Sequence, residues 1–171
     1  MAAHTRLHLP DEHATEALAR QLALPVADRT RHNDPPGPEA GGRIYLRGDL
    51  GAGKTAFVRA LLRACGVTGR IKSPSYALLE SYKVSSLYFY HFDFYRFNDP
   101  QEWLDAGFRD TFRDEAVILI EWPERAKDLL PAPDLEISLI YVGQGRDADL
   151  HAHTERGQRW LNALTSPSHL A

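Results

Sequence analysis

Gly48-Asp49-Leu50-Gly51-Ala52-Gly53-Lys54-Thr55 matches the pattern G-x-x-x-x-G-K-[ST] at every fixed position. The pattern has its meaning in one setting, a turn between a buried strand and the first turn of a helix. Both flanks are present here. Arg43 to Arg47 carries Ile44, Tyr45 and Leu46, a short buried strand. After Thr55 the apolar positions Phe57, Leu61 and Ala64 recur on one helical face, and Val58, Leu62 and Cys65 form a second stripe. Gly66 ends that helix as a left-handed cap. In such a loop the glycines let successive N–H groups converge on an anion, and the helix adds its positive dipole end. Residues 49–55, namely Asp49, Leu50, Gly51, Ala52, Gly53, Lys54 and Thr55, are therefore the expected phosphate cradle. Lys54 supplies a point charge to the β- and γ-phosphates, and the Thr55 hydroxyl can ligate Mg2+.

The rest of the chain reads as one α/β domain over its 171 residues. Thr5, Leu7 and Leu9 alternate as a first strand, and Asp11 caps a helix through Ala14, Leu18 and Leu22 that Pro25 stops. Residues 30–42 are rich in Pro, Gly and polar groups and read as a mobile loop. Leu87 to Phe92 and Ala116 to Ile120 are nearly continuous apolar runs, as central strands covered on both faces require. Ile137, Leu139 and Tyr141 alternate, Gly143-Gln144-Gly145 turns, and Ala148, Leu150 and Ala152 alternate back, a C-terminal β-hairpin. Trp160, Leu161 and Leu164 suggest a closing helix, with residues 165–171 a frayed tail. The fold expected is a P-loop NTPase: three layers, α/β/α, around a mixed central sheet.

A phosphate cradle hydrolyses nothing alone; magnesium needs a carboxylate and an attacking water needs an acceptor. Asp93 closes one apolar strand and Glu121 closes the other. Ligands of open α/β sheets gather beyond the carboxyl ends of the strands, so both acids are expected to face the phosphates. Asp93, Glu121 and Thr55 are the metal candidates, and Lys54, Asp93 and Glu121 the catalytic set. No Asn-Lys-x-Asp guanine reader occurs, which favours ATP.

Charge and composition narrow the partners. A net charge of −3 argues against a protein that coats polyanions, so DNA is not expected. No apolar stretch approaches the roughly 20 residues that span a bilayer. The first residues lack the apolar core of a signal peptide, and Cys65 cannot bridge internally, so a cytoplasmic location and no membrane partner are expected. Arg59 and Arg63, with Arg70 and Lys72 beyond, read as a solvated basic face that could meet tRNA or an acidic protein. Trp122 is balanced between core packing and a place against nucleotide or partner.

Four motifs in order then carry a resemblance: residues 48–55, Lys72-Ser73-Pro74-Ser75-Tyr76, Tyr90-His91-Phe92-Asp93-Phe94-Tyr95-Arg96, and Glu121-Trp122-Pro123. Leu130-Pro131 and Gly145-Arg146 follow in the same sequence. Over residues 5–153 the chain resembles the TsaE (YjeE) family of bacterial ATPases. The resemblance implies ATP binding and slow hydrolysis supporting N6-threonylcarbamoylation of adenosine 37 in tRNAs that read ANN codons. It implies action with a TsaD–TsaB complex, through which tRNA would be met; a separate synthase would supply the threonylcarbamoyl-adenylate. It also implies Lys54 on phosphate, Thr55 and Glu121 as magnesium ligands, and Asp93 on the metal or its water. Ser73-Pro74-Ser75 would be a mobile switch sensing the γ-phosphate. Spacing alone reads Glu12, Thr15 and Arg146 as ordinary side chains, whereas the resemblance raises Glu12 and Arg146 to nucleotide contacts. Ser75 stands where the family usually has threonine, Ala56 where a second threonine is common, and Phe94 where leucine is usual.

Two other functions share the same loop. A small-molecule kinase would need an arginine-rich lid, for which Arg109 to Arg113 and Arg125-Ala126-Lys127 are the candidates. A nucleotide-gated scaffold would bind ATP and need no hydrolysis.

Overall fold

The two apolar runs and the strand before the glycine loop need partners on both edges and covers on both faces, and the computed structural model supplies them in a single sheet. It describes residues 3–99, 101–102 and 107–165. Seven strands are hydrogen-bonded in the order β1-β7-β6-β2-β5-β4-β3. They are β1 (His4–Leu9), β2 (Gly42–Gly48), β3 (Leu79–Val84), β4 (Leu87–Asp93), β5 (Val117–Glu121), β6 (Leu135–Val142) and β7 (Gly145–Ala152). The centre is parallel, β6-β2-β5-β4, while β3, β7 and β1 run antiparallel to their neighbours. This is the mixed sheet expected. Strand β3 was not legible: Glu80, Ser81 and Lys83 dilute its alternation, and the tight Ser85-Ser86 turn carries no glycine.

Alternation divides the side chains between two cores. Leu46, Phe89, Val117, Leu119, Ile137 and Leu150 point to one face, with the apolar sides of α1 (Glu12–Val26), α2 (Lys54–Cys65) and α3 (Glu155–Thr165). Phe57, Val58, Leu61, Leu62 and Cys65 are all fully buried, so both stripes of α2 are covered. Tyr45, Phe92, Ile118 and Ile120 point to the opposite face, beneath Phe94, Phe97, Phe108 and Phe112. Among the described residues that layer is made of loops and the 3₁₀ turns Phe108–Thr111, Pro123–Arg125 and Lys127–Leu129. The sheet is thus the middle of three layers, in the arrangement of a P-loop NTPase.

Asp11 caps α1 as expected, its carboxylate accepting from the Ala14 N–H at 2.9 Å. The helix continues through Pro25 to Val26, so proline sits in its last turn instead of stopping it. Residues 30–40 hold no helix or strand, but the segment is fastened: Gly37 N–H donates to Ala27 O, Glu39 N–H to Asp28 Oδ2, and Gly41 N–H to Val26 O. Val142 pairs with Gly145, leaving Gly143-Gln144 as the hairpin turn. The tail expected over 165–171 falls, apart from Thr165, outside the described residues. Among the described residues no helix is long and apolar enough to cross a membrane.

Candidate functional site

Parallel neighbours end on the same edge of a sheet. Leu46 of β2 and Asp93 of β4 both pair with Glu121 of β5, so the glycine loop leaves the sheet beside the two acids. They line a cavity of about 510 Å³ with Lys54, Thr55, Ser73, Ser75 and Trp122. Glu12 of α1 and Arg146 of β7 also line it, as do Leu50, Gly51 and Gly53. Asp49 is exposed and Ala52 fully buried; both belong to the loop's frame.

The loop's shape has identifiable causes. Gly53 precedes α2 at φ 108°, and no side chain caps the helix, which leaves its N-terminal amides to face a ligand. A Cβ at Gly53 would run into Arg146 Nη1. Arg146 donates to Ala52 O, and its register partner Tyr141 donates through its hydroxyl to Leu50 O at 3.3 Å. The C-terminal hairpin therefore grips the loop from the side. Arg146 is thereby committed to the loop backbone as well as to the cavity wall.

Lys54 folds back on its own loop, donating to Gly48 O and, at 2.9 Å, to Asp49 O. Its ammonium lies 4.3 Å from the centre of the Trp122 ring. Burial lowers its pKa from the ordinary lysine value, and Glu121, Glu124, Asp93 and Asp49 offset part of that. Trp122 holds φ 58°, a left-handed conformation uncommon for a residue with a side chain. Both of its open readings have a basis: Trp122 lines the cavity, with Tyr95 packed 5.0 Å away, and is half-buried against the second core.

The acids are arranged unequally. The Thr55 hydroxyl donates to Glu121 Oε1 at 2.8 Å, and His91 Nε2 stands 2.6 Å from Glu121 Oε2. Glu121 is 2 % exposed and His91 1 %. Asp93 is more open; burial raises its pKa, against a hydrogen bond from the Tyr95 N–H, and the negative Glu121 raises it further. Among the described residues no three His, Cys, Asp or Glu side chains cluster as a metal cage. A hydroxyl and one or two carboxylates beside a phosphate cradle are instead the donor set magnesium takes when substrate phosphates complete its shell. The residues fit both nucleotide phosphates and Mg2+.

Ser73 and Ser75, joined through their hydroxyls at 2.7 Å, reach the cavity from the 71–78 segment between α2 and β3. Arg96 lines the cavity too, its guanidinium 4.6 Å from the Tyr76 ring. Sequence reasoning gave no role to His91, Tyr95 or Arg96. For Tyr95 and Arg96 the signal was their position just past a strand's carboxyl end; for His91 it was a polar residue inside an apolar strand. Arg109, a candidate for a kinase lid, lines a separate depression with Arg43 and Phe112.

Known proteins share this sequence and fold. A model of the family described as "Threonylcarbamoyl adenosine biosynthesis protein TsaE" matches residues 9–148. The chain is 40% identical over 123 residues to tRNA threonylcarbamoyladenosine biosynthesis protein TsaE of Haemophilus influenzae, covering 72% of this chain and 78% of that one. It is 39% identical over 141 residues to the protein of the same name from Rickettsia felis, covering 82% and 75%. The crystal structure of Bacillus subtilis YdiB superposes with a TM-score of 0.74 over 96% of both chains, and at 23% identity that likeness speaks for the fold. A family match spanning the glycine loop, both acids and most of the hairpin means that the chain belongs to the TsaE family, whose proteins serve tRNA threonylcarbamoyladenosine biosynthesis.

Proposed function

We propose that this chain is a magnesium-dependent ATP hydrolase, slow alone and stimulated by partners, that acts as a nucleotide switch in threonylcarbamoylation of tRNA adenosine 37. The observation that carries the reading is the Thr55–Glu121 hydrogen bond, at 2.8 Å, beside a helix N-terminus that no side chain caps. Loop amides 49–55 and Lys54 bind the phosphates, and Glu12 and Arg146 bound the cavity where the rest of the nucleotide lies. Thr55 and Glu121 would hold magnesium, and Asp93 would orient the metal's water or the attacking one. Magnesium, when bound, neutralises charge that develops on the transferred phosphoryl group. Ser73 and Ser75 line the cavity and would sense the γ-phosphate, so ATP and ADP would give different conformations of residues 71–78.

The partner that reads those conformations is a TsaD–TsaB-like complex, with tRNA met through it, in the cytoplasm. Residues 1–171 act as one nucleotide-binding unit in this reading. Of the two lid candidates of the kinase alternative, Arg109 lies apart from the cavity, while Arg125 stands over the Tyr95 and Trp122 rings of its wall.

The test is modification in cells. Lys54→Ala and Glu121→Ala are expected to abolish threonylcarbamoyladenosine in hydrolysed tRNA, measured by mass spectrometry, and Lys54→Ala to lower magnesium–ADP affinity at least tenfold by calorimetry. Normal modification in both variants would overturn the switch, and no nucleotide uptake by the wild type would overturn the site itself. A variant that binds ATP without hydrolysing it yet sustains modification would leave a nucleotide-gated scaffold in place of an enzyme.

A further inference from the structure

The helix-facing side of β4 reads Leu87, Phe89, His91, Asp93. Leu87 and Phe89 belong to the main core, and Asp93 reaches the cavity. His91 is the exception: a polar ring at a position where alternation favours an apolar side chain, and 1 % exposed. Its Nε2 is 2.6 Å from Glu121 Oε2. Its Nδ1 is buried and has no hydrogen-bond partner among the described residues. Since an ionised carboxylate only accepts, Nε2 is the donor in this contact. Among the described residues, the contact to Glu121 is thus the hydrogen bond that the ring nitrogens make.

The other oxygen of Glu121 takes the Thr55 hydroxyl. A metal bound by Thr55 would draw that hydroxyl's oxygen away and leave His91 as the remaining donor in this pair of contacts. An imidazole N–H that fixes a carboxylate while its second oxygen faces a metal is how outer partners orient metal ligands. We propose that His91 is a positioning residue for magnesium, holding Glu121 in one rotamer with Oε1 turned towards Thr55 and the nucleotide phosphates. The inference rests on the magnesium reading of the site given above.

The test compares His91→Gln, whose amide can offer an N–H near the position of Nε2, with His91→Leu, which fills the space and offers none. ADP affinity is measured by calorimetry in EDTA and across a magnesium titration. Leu is expected to raise the magnesium concentration for half-maximal tightening roughly ten- to hundredfold, leave metal-free ADP affinity within about twofold, and be substantially rescued by Gln. In the metal-free wild type, nitrogen-15 NMR of the histidine rings is expected to find the His91 proton on Nε2. A wild-type magnesium response in folded His91→Leu, or an Nε2 that carries no proton, overturns the assignment while leaving the P-loop reading intact. Equal loss of metal-free and magnesium-dependent binding in both variants also overturns it, as damage to the scaffold. If Leu does not fold, judged by circular dichroism, the Gln variant and the NMR signal decide alone. A wild type that binds no nucleotide defeats the earlier reading instead.

Discussion

Single residues set the loop's geometry, and Gly53 is the sharpest case. Its φ of 108° lies where side chains are strained, and its missing Cβ makes room for Arg146. A left-handed backbone costs a residue with a Cβ about 1–2 kcal/mol. Gly53→Ala is expected to lower the melting temperature by a few degrees and to weaken magnesium–ADP binding more than tenfold, because it displaces the guanidinium that braces Ala52 O. Nucleotide affinity equal to wild type in calorimetry would mean that the loop tolerates a different path. The motif made Gly53 legible as a cradle residue. It could not name Arg146 as the reason, since that neighbour enters from 93 positions further along the chain and depends on hairpin register.

At the scale of elements, the sheet is closed on one side by pairing β1 with β7. Arg6 meets Asp149 through two bonds of 2.6 and 2.7 Å, and His4 adds a contact at 3.1 Å. The Arg6 guanidinium, first among these causes, holds the Asp149 carboxyl at about 2. An ordinary aspartate titrates near 3.9. The sign follows: the charged form is favoured in the folded state, so the contribution is whole above about pH 4 and disappears as pH falls towards 2. Asp149→Asn is expected to melt below the wild type at neutral pH, with the gap narrowing as pH falls from about 4 to 2. A gap that stays constant over that interval would show that packing at β1, not charge, is what the substitution disturbs. Elements with strong periods, such as α2 and the β6–β7 hairpin, were legible; β3 was not, because an edge strand with one solvated face tolerates Glu80, Ser81 and Lys83 among its six residues.

Across the whole molecule, the parallel centre of the sheet delivers three strand ends to one place, and that arrangement made Asp93 and Glu121 readable from sequence. What the sequence hid is the layer beneath them: His91 stands inside one of the four motifs, but its bond across adjacent strands to Glu121 depends on strand register that no motif spells out. The core that supports the site has its own reporter. Cys65 is fully buried between α1 and α2, and burial pushes its thiol to about 12, so little thiolate forms near neutral pH. Its reaction with a disulfide reagent is expected to be slow, first order in protein, and to track global unfolding in urea. Rapid labelling in native buffer would mean that the α1–α2 interface opens locally.

The posture of Lys54 changes how a substitution there is interpreted. An ammonium has three hydrogens to offer, and two already rivet the carbonyls of Gly48 and Asp49. Only the third is free to greet an incoming oxygen, so the side chain keeps the turn in form while it attracts cargo. Deleting it removes a fastener together with a charge, and the affinity lost on truncation exceeds the pull of the cation alone.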